Sequence, residues 1–269
     1  MSTQNKGAAL VTGASAGIGA VYADRLARRG YDLILTARRT DRLQALADKL
    51  AAETGQKIEV VAADLANRAD LKRVEDILRN DATITLLVNN AGVAAVTPLV
   101  KSNVDEMSNM ISVNVDALMR LTYAAAPKFV ERGAGAIINI SSVTALGPER
   151  LNGVYGASKA FVLAFSQSLK HELADKGVRI QVVLPGATAT DIWPNAGVPI
   201  ANLPKDIVMS TEDMVDASLA GLDQGEFATA PALGDATKWQ SYEKIRTEVA
   251  GELSRSLPAA RYGAKSATR

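Results

Sequence analysis

The sequence predicts an α/β fold, a doubly wound parallel β-sheet with helices on both faces, in one domain. Short apolar runs alternate with amphipathic stretches of helical length from residue 8 to about residue 190. The runs are nearly continuous rather than alternating in polarity, as in strands that helices bury on both faces. A glycine-rich turn joins the first run to the first helix, at the strand end where such folds bind ligands.

The elements follow in order. Residues 8–12 read as the first strand and 18–30 as a helix stopped by Gly30. Residues 33–36 are a second strand. Residues 41–53 are helical, with Leu43, Leu46, Ala47 and Leu50 on one face. A strand at 58–61, a helix at 69–78 and a strand at 85–88 come next, the last running into Asn89-Asn90-Ala91-Gly92. One long helix is expected over about 105–131, a strand at 136–140, a helix at 154–176 and a strand at 178–184. Residues 191–209 carry Trp193, three prolines and a glycine, and read as a long loop with short helical pieces, of the kind that forms lids. Helices are expected at 211–224 and 239–254, and a mobile basic tail at 261–269. The core then spans about 8–190, a substrate lid about 191–225 and a C-terminal segment 226–269.

Composition narrows the function. A chain of 269 residues suits one α/β domain. A formal net charge of +1 gives no electrostatic case for a nucleic acid or membrane partner. The absence of cysteine excludes disulfides, thiolate metal ligands and cysteine nucleophiles. A single histidine, His171, argues against a zinc site, and no metal is expected. The first residues are polar, and no apolar run approaches the roughly 18 residues of a spanning helix. The expected location is the cytoplasm.

Thr12-Gly13-Ala14-Ser15-Ala16-Gly17-Ile18-Gly19 sits between strand and helix. Glycines there permit a tight turn, and free helix N–H groups suit a pyrophosphate. A purely structural turn is the alternative. Tyr155 and Lys159 are four apart on one helical face, where an ammonium would pull the phenol pKa down from about 10. Ser142 closes the fifth strand, with its hydroxyl available to a carbonyl oxygen. A core tyrosine and a serine ending a strand are the plainer readings.

Taken in order, these residues resemble the short-chain dehydrogenase/reductase family. The match covers about residues 8–191. It includes the glycine turn, Asp64-Leu65, Asn89-Asn90-Ala91-Gly92, Asn114, Ser142, Tyr155-x-x-x-Lys159 and Pro185-Gly186. The resemblance implies a Rossmann-like fold and hydride exchange between NADP(H) and a small-molecule carbonyl or alcohol substrate. Tyr155 would be the proton donor in reduction and the acceptor in oxidation. Lys159 would lower its pKa and bind the nicotinamide ribose. Ser142 would polarise the substrate oxygen, and Asn114 would hold a relay water. Gly13, Ser15, Gly17, Ile18 and Gly19 would cradle the pyrophosphate. Asp64 and Leu65 would lie at the adenine, and Asn90, Ala91 and Gly92 along the cofactor. Pro185, Gly186, Thr188 and Thr190 would line the nicotinamide side. The family also implies a homodimer or homotetramer built on the long helices.

NADP is expected over NAD. Where NAD-dependent members carry Asp at the end of the second strand this chain has Ala37, followed by Arg38 and Arg39. A guanidinium grips a phosphate bidentately. His171 lies about 24 Å along its helix from Tyr155 and is expected at the surface. Without a nearby histidine, Ser142 cannot act as a hydrolase nucleophile. Trp193 is either a lid residue or a loop anchor, and Glu149 and Arg150 are either pocket wall or plain surface. An epimerase or dehydratase is disfavoured by the short segment after Pro185. A non-catalytic regulator is disfavoured because Asn114, Ser142, Tyr155 and Lys159 are all present.

Overall fold

The structure is a computed structural model that describes residues 6–263. One compact unit closes at Pro231 and a second, small one opens at Ala232. The first holds β1 (Ala8–Thr12), α1 (Gly17–Arg28), β2 (Asp32–Ala37), α2 (Thr40–Thr54), β3 (Ile58–Ala62), α3 (Arg68–Asn80) and β4 (Ile84–Asn89). It continues through α4 (Val104–Ile111), α5 (Leu118–Arg132), β5 (Gly135–Ile140), α6 (Gly153–Leu173), β6 (Val178–Val183), α7 (Ile192–Asn195), α8 (Thr211–Asp223) and β7 (Ala228–Thr229). The second unit contains α9 (Thr237–Glu252), none of whose residues is buried. None of the described helices is long and apolar enough to cross a membrane.

The sheet has seven strands in the order β3-β2-β1-β4-β5-β6-β7, and every pairing is parallel. The order reverses between β1 and β4, which opens a crevice at their carboxyl ends. The period of two divides each strand between two cores. Ala8 and Leu10 share one core with Val74 and Leu78 of α3 and Leu121 and Phe129 of α5. Ala9 and Val11 share the other with Tyr22, Leu26, Leu43 and Leu219 of α1, α2 and α8. Both faces are covered, which is why the strands read as unbroken apolar runs.

The structure departs from expectation in two places, the helix at 105–131 and the seventh strand. The single helix expected at 105–131 is α4 and α5 joined by a π-helical turn, Ser112–Ala117. A wide turn inserts about one residue into the 3.6 period, too little to interrupt an apolar pattern. β7 has only two residues, too few for any periodicity. Residues 191–209 contain α7 and two 3-10 turns, the short helical pieces expected there, and the ends of the segment are tied together. Ala189 N donates to Met209 O at 2.9 Å, and Met209 N donates to Ala187 O at 2.9 Å. Of the basic tail, Ala260–Tyr262 forms a 3-10 turn, and residues 264–269 lie outside the described residues.

Candidate active site

The turn after β1 is built to bring backbone close to a ligand. Gly13 adopts φ +67°, and a Cβ there would lie 2.9 Å from Ala91 Cα and 2.9 Å from Asn90 Nδ2. Gly17 adopts φ +54°, with the Thr190 methyl 3.1 Å from where its Cβ would stand. A Cβ on Gly19 would collide with the Gly13 carbonyl and the Asn90 amide. The N-terminus of α1 has no capping side chain and no acid in its first turn. Its N–H groups therefore remain free for an anion, and the cradle fits a pyrophosphate.

Thr12 and Asn90 lock this turn to the end of β4. Thr12 Oγ1 accepts from the N–H groups of Asn90 and Ala91, each at 2.9 Å. Asn90 Nδ2 donates to Thr12 O at 2.8 Å and to Gly13 O at 3.4 Å. The Asn90 side chain, expected along the cofactor, thus braces the turn.

The β4–β6 side is a nest of buried side chains. Asn114 projects from the π turn, where Nδ2 donates to Val93 O (2.9 Å) and Ser158 Oγ (3.1 Å) and Oδ1 accepts from Val93 N (2.9 Å). Ser158 Oγ donates to Tyr155 O at 2.7 Å, and Ser141 Oγ donates to Lys159 O at 2.8 Å. These bonds stitch the first turns of α6 to β5 and the π turn. Ser142 accepts from Thr144 N at 3.1 Å, and its hydroxyl stands close enough to the Tyr155 phenol to favour the ionised form. Lys159 Nζ donates to Ile140 O at 2.9 Å and lies 5.9 Å from the Tyr155 ring centre.

Electrostatics correct one expectation. Burial pushes the Tyr155 phenol above its ordinary value, and the neighbouring Ser142 hydroxyl offsets this in part. The lysine does not reverse that direction, because its ammonium is turned to the Ile140 carbonyl. Burial also lowers Lys159 itself, to about 8.

Turn and nest face one cleft of about 740 Å³. Of the catalytic and cofactor-binding residues expected from sequence, only Gly19 and Asn114 do not line it; they stand one layer behind. Arg38 and Arg39 are exposed at its β2 end. Arg39 Nε donates to Ser15 Oγ at 3.3 Å, whereas Arg38 has no side-chain partner among the described residues. Sequence reasoning missed Arg42 and Asp191. The Asp191 carboxylate reaches across the cleft to Arg39 at 3.5 Å and Arg42 at 3.4 Å, a pairing between distant segments with no local signal. It also missed Thr144, Leu203 and Ile207 on the cleft wall. Trp193 anchors its loop and also stands on the cleft wall. Its Nε1 donates to Thr188 O at 2.9 Å, and its ring lines the cleft.

Comparison with known proteins agrees with this geometry. The family model for short chain dehydrogenase matches residues 7–198. The NADP-dependent 3-hydroxy acid dehydrogenase YdfG of Escherichia coli (strain K12) is 39% identical over 179 residues, covering 66% of this chain and 71% of that protein. A short-chain dehydrogenase from Sphingobium yanoikuyae, solved in complex with NADPH, superposes with a TM-score of 0.92 at 45% identity, covering 94% of this chain and 98% of that one. The bulky-bulky ketone specific alcohol dehydrogenase from Comamonas testosteroni gives 0.89 at 40% identity, covering 96% and 99%. The chain belongs to the short-chain dehydrogenase/reductase family.

Proposed function

We propose that this oxidoreductase is an NADP(H)-dependent carbonyl reductase and secondary-alcohol dehydrogenase with Tyr155 as its general acid and base. The observation that carries the reading is a buried phenol beside the Ser142 hydroxyl, on the same cleft as a glycine cradle at a helix N-terminus. NADPH, when bound, supplies the hydride that adds to the carbonyl carbon. Tyr155, a phenol that stays protonated at neutral pH, gives its proton to the carbonyl oxygen. Ser142 orients that oxygen. Lys159 binds beside the phenol, and Asn114 positions α6 through Ser158. The first turn of α1 and the glycine turn hold the pyrophosphate, and Arg38 with Arg39 holds the 2′-phosphate. Two comparisons support the cofactor choice, the NADPH complex of the Sphingobium protein and the NADP-dependent YdfG.

Residues 191–209 serve in this reading as the substrate lid; the rest of the expected 191–225 lid is α8, which packs Met214, Val215 and Leu219 into the core. A homodimer or homotetramer is the proposed assembly, supported by the aromatic row Tyr123, Phe165 and Phe161 on α5 and α6, with Tyr123 67% exposed. The test is titration with NADPH and NADH, followed by turnover of a ketone and aldehyde panel. Preferential NADPH binding, with turnover that Tyr155→Phe abolishes, is the expected result. Failure to bind either nucleotide would sink the reading.

A further inference from the structure

The ionisable side chains around the cleft fall into three groups. Arg38, Arg39, Asp64 and Asp191 belong to the β2–β3 end, where Asp191 pairs with Arg39 and Arg42. Tyr155 and Lys159 are the proton-transfer pair. The one left over is Arg150, which lines the cleft, is exposed, and has no carboxylate within ion-pair distance among the described residues. Glu149, its neighbour in the chain, does not line the cleft.

Arg150 is held in place rather than trailing in solvent. It ends the 3-10 turn Pro148–Arg150, which lies between Ser142 and Tyr155 in the chain. That turn sits directly on the start of α6, since a Cβ on Gly156 would come within 2.8 Å of Pro148 Cα. The arginine side chain lies back across Gly147, where a Cβ would stand 3.1 Å from Arg150 Nε and 3.4 Å from Glu149 Oε1, which makes no ion pair with it. The wall around it is supplied by Val93, Ala94, Val143, Leu151 and Trp193. An unpaired guanidinium in such a wall attracts an anion more strongly than one in open water.

We propose that Arg150 anchors a carboxylate on the substrate, so that the preferred carbonyl compounds are oxo acids and the corresponding alcohols are hydroxy acids. A guanidinium matches a carboxylate bidentately, and the anchor would fix which ketone face meets Tyr155. This rests on the carbonyl-reductase reading and adds the substrate class to it.

The experiment uses phenyl-substituted oxo acids with the carboxylate one, two or three carbons from the ketone, each beside its neutral methyl ester. At least one acid should exceed its ester in kcat/KM by roughly tenfold or more, the scale of one charge-assisted hydrogen bond. Arg150→Ala should remove that preference through KM, leaving ester turnover and NADPH affinity within about twofold. Arg150→Lys should restore part of it. Esters turned over as fast as acids, or an acid-to-ester ratio unchanged in Arg150→Ala, would overturn the anchor and leave the reductase reading standing. No turnover of any acid or ester would overturn both.

Discussion

At the carboxyl ends of β1, β2 and β3 the polar equipment is backbone and exposed charge. At those of β4, β5 and β6 it is buried side chains bonded to one another. Gly13, Gly17 and the first turn of α1 offer N–H groups, and Arg38 and Arg39 stand in solvent. On the other side Asn114, Ser142, Ser158 and Lys159 are all buried, Lys159 only 5% exposed. Groups in water trade partners at little cost, whereas a buried polar group depends on each partner it has. Substitutions should therefore act by degrees in the first half and abruptly in the second.

The sharpest test is Tyr155→Phe. Losing a general acid costs about 10²–10⁴-fold in kcat. NADPH affinity should stay within about twofold, because the phenol hydroxyl is placed to serve the substrate oxygen. A variant that keeps its rate in steady-state assays would break the comparison at its strongest point.

Lys159→Met separates function from stability. Activity should fall roughly 10- to 100-fold, the scale of a lost charge-assisted hydrogen bond to the nicotinamide ribose. Lys159 titrates at about 8 when folded and at about 10.4 when unfolded. Between those values the unfolded chain binds more protons, so this lysine makes stability rise with pH across that window. Below pH 8 it costs on the order of 3 kcal/mol. The methionine variant should be no less stable than wild type at pH 7, and should lose the rise between pH 8 and 10, in urea unfolding at both ends.

Effects in the β1–β3 half should be smaller. Arg38→Asp is expected to cut the NADPH-over-NADH preference roughly 10- to 100-fold, with stability unchanged within about 0.5 kcal/mol. An unchanged preference would leave Arg39 and Arg42 as the phosphate ligands. Gly13→Ala should cost about 1–2 kcal/mol of stability, because φ is +67° and the neighbouring backbone is close. Thermal unfolding reads that directly, and NADPH affinity should drop with it.

Legibility in the sequence followed the range of each interaction. The strands were readable because burial on both faces leaves an unbroken apolar run, and Tyr155 with Lys159 because an i, i+4 pair shares a helix face whatever surrounds it. The π turn that carries Asn114 was hidden, since the apolar residues of 105–131 continue through it. The Asp191 bridge to Arg39 and Arg42 joins segments nearly 150 positions apart, and nothing near either end announces it. The direction of the Tyr155 shift also eluded the sequence. Spacing placed a lysine near the phenol, but burial of the phenol and the turn of the ammonium toward Ile140 are products of packing.

The paired hydrogen bonds between Ala187, Ala189 and Met209 have a consequence for engineering. They hold the two ends of residues 191–209 together independently of what lies between. Lengthening a loop whose ends are already clamped costs little, because closure entropy grows only with the logarithm of length. This stretch is therefore a cassette: foreign sequence can be spliced between the clamp residues to recast the cleft mouth while the sheet beneath it stays as it is.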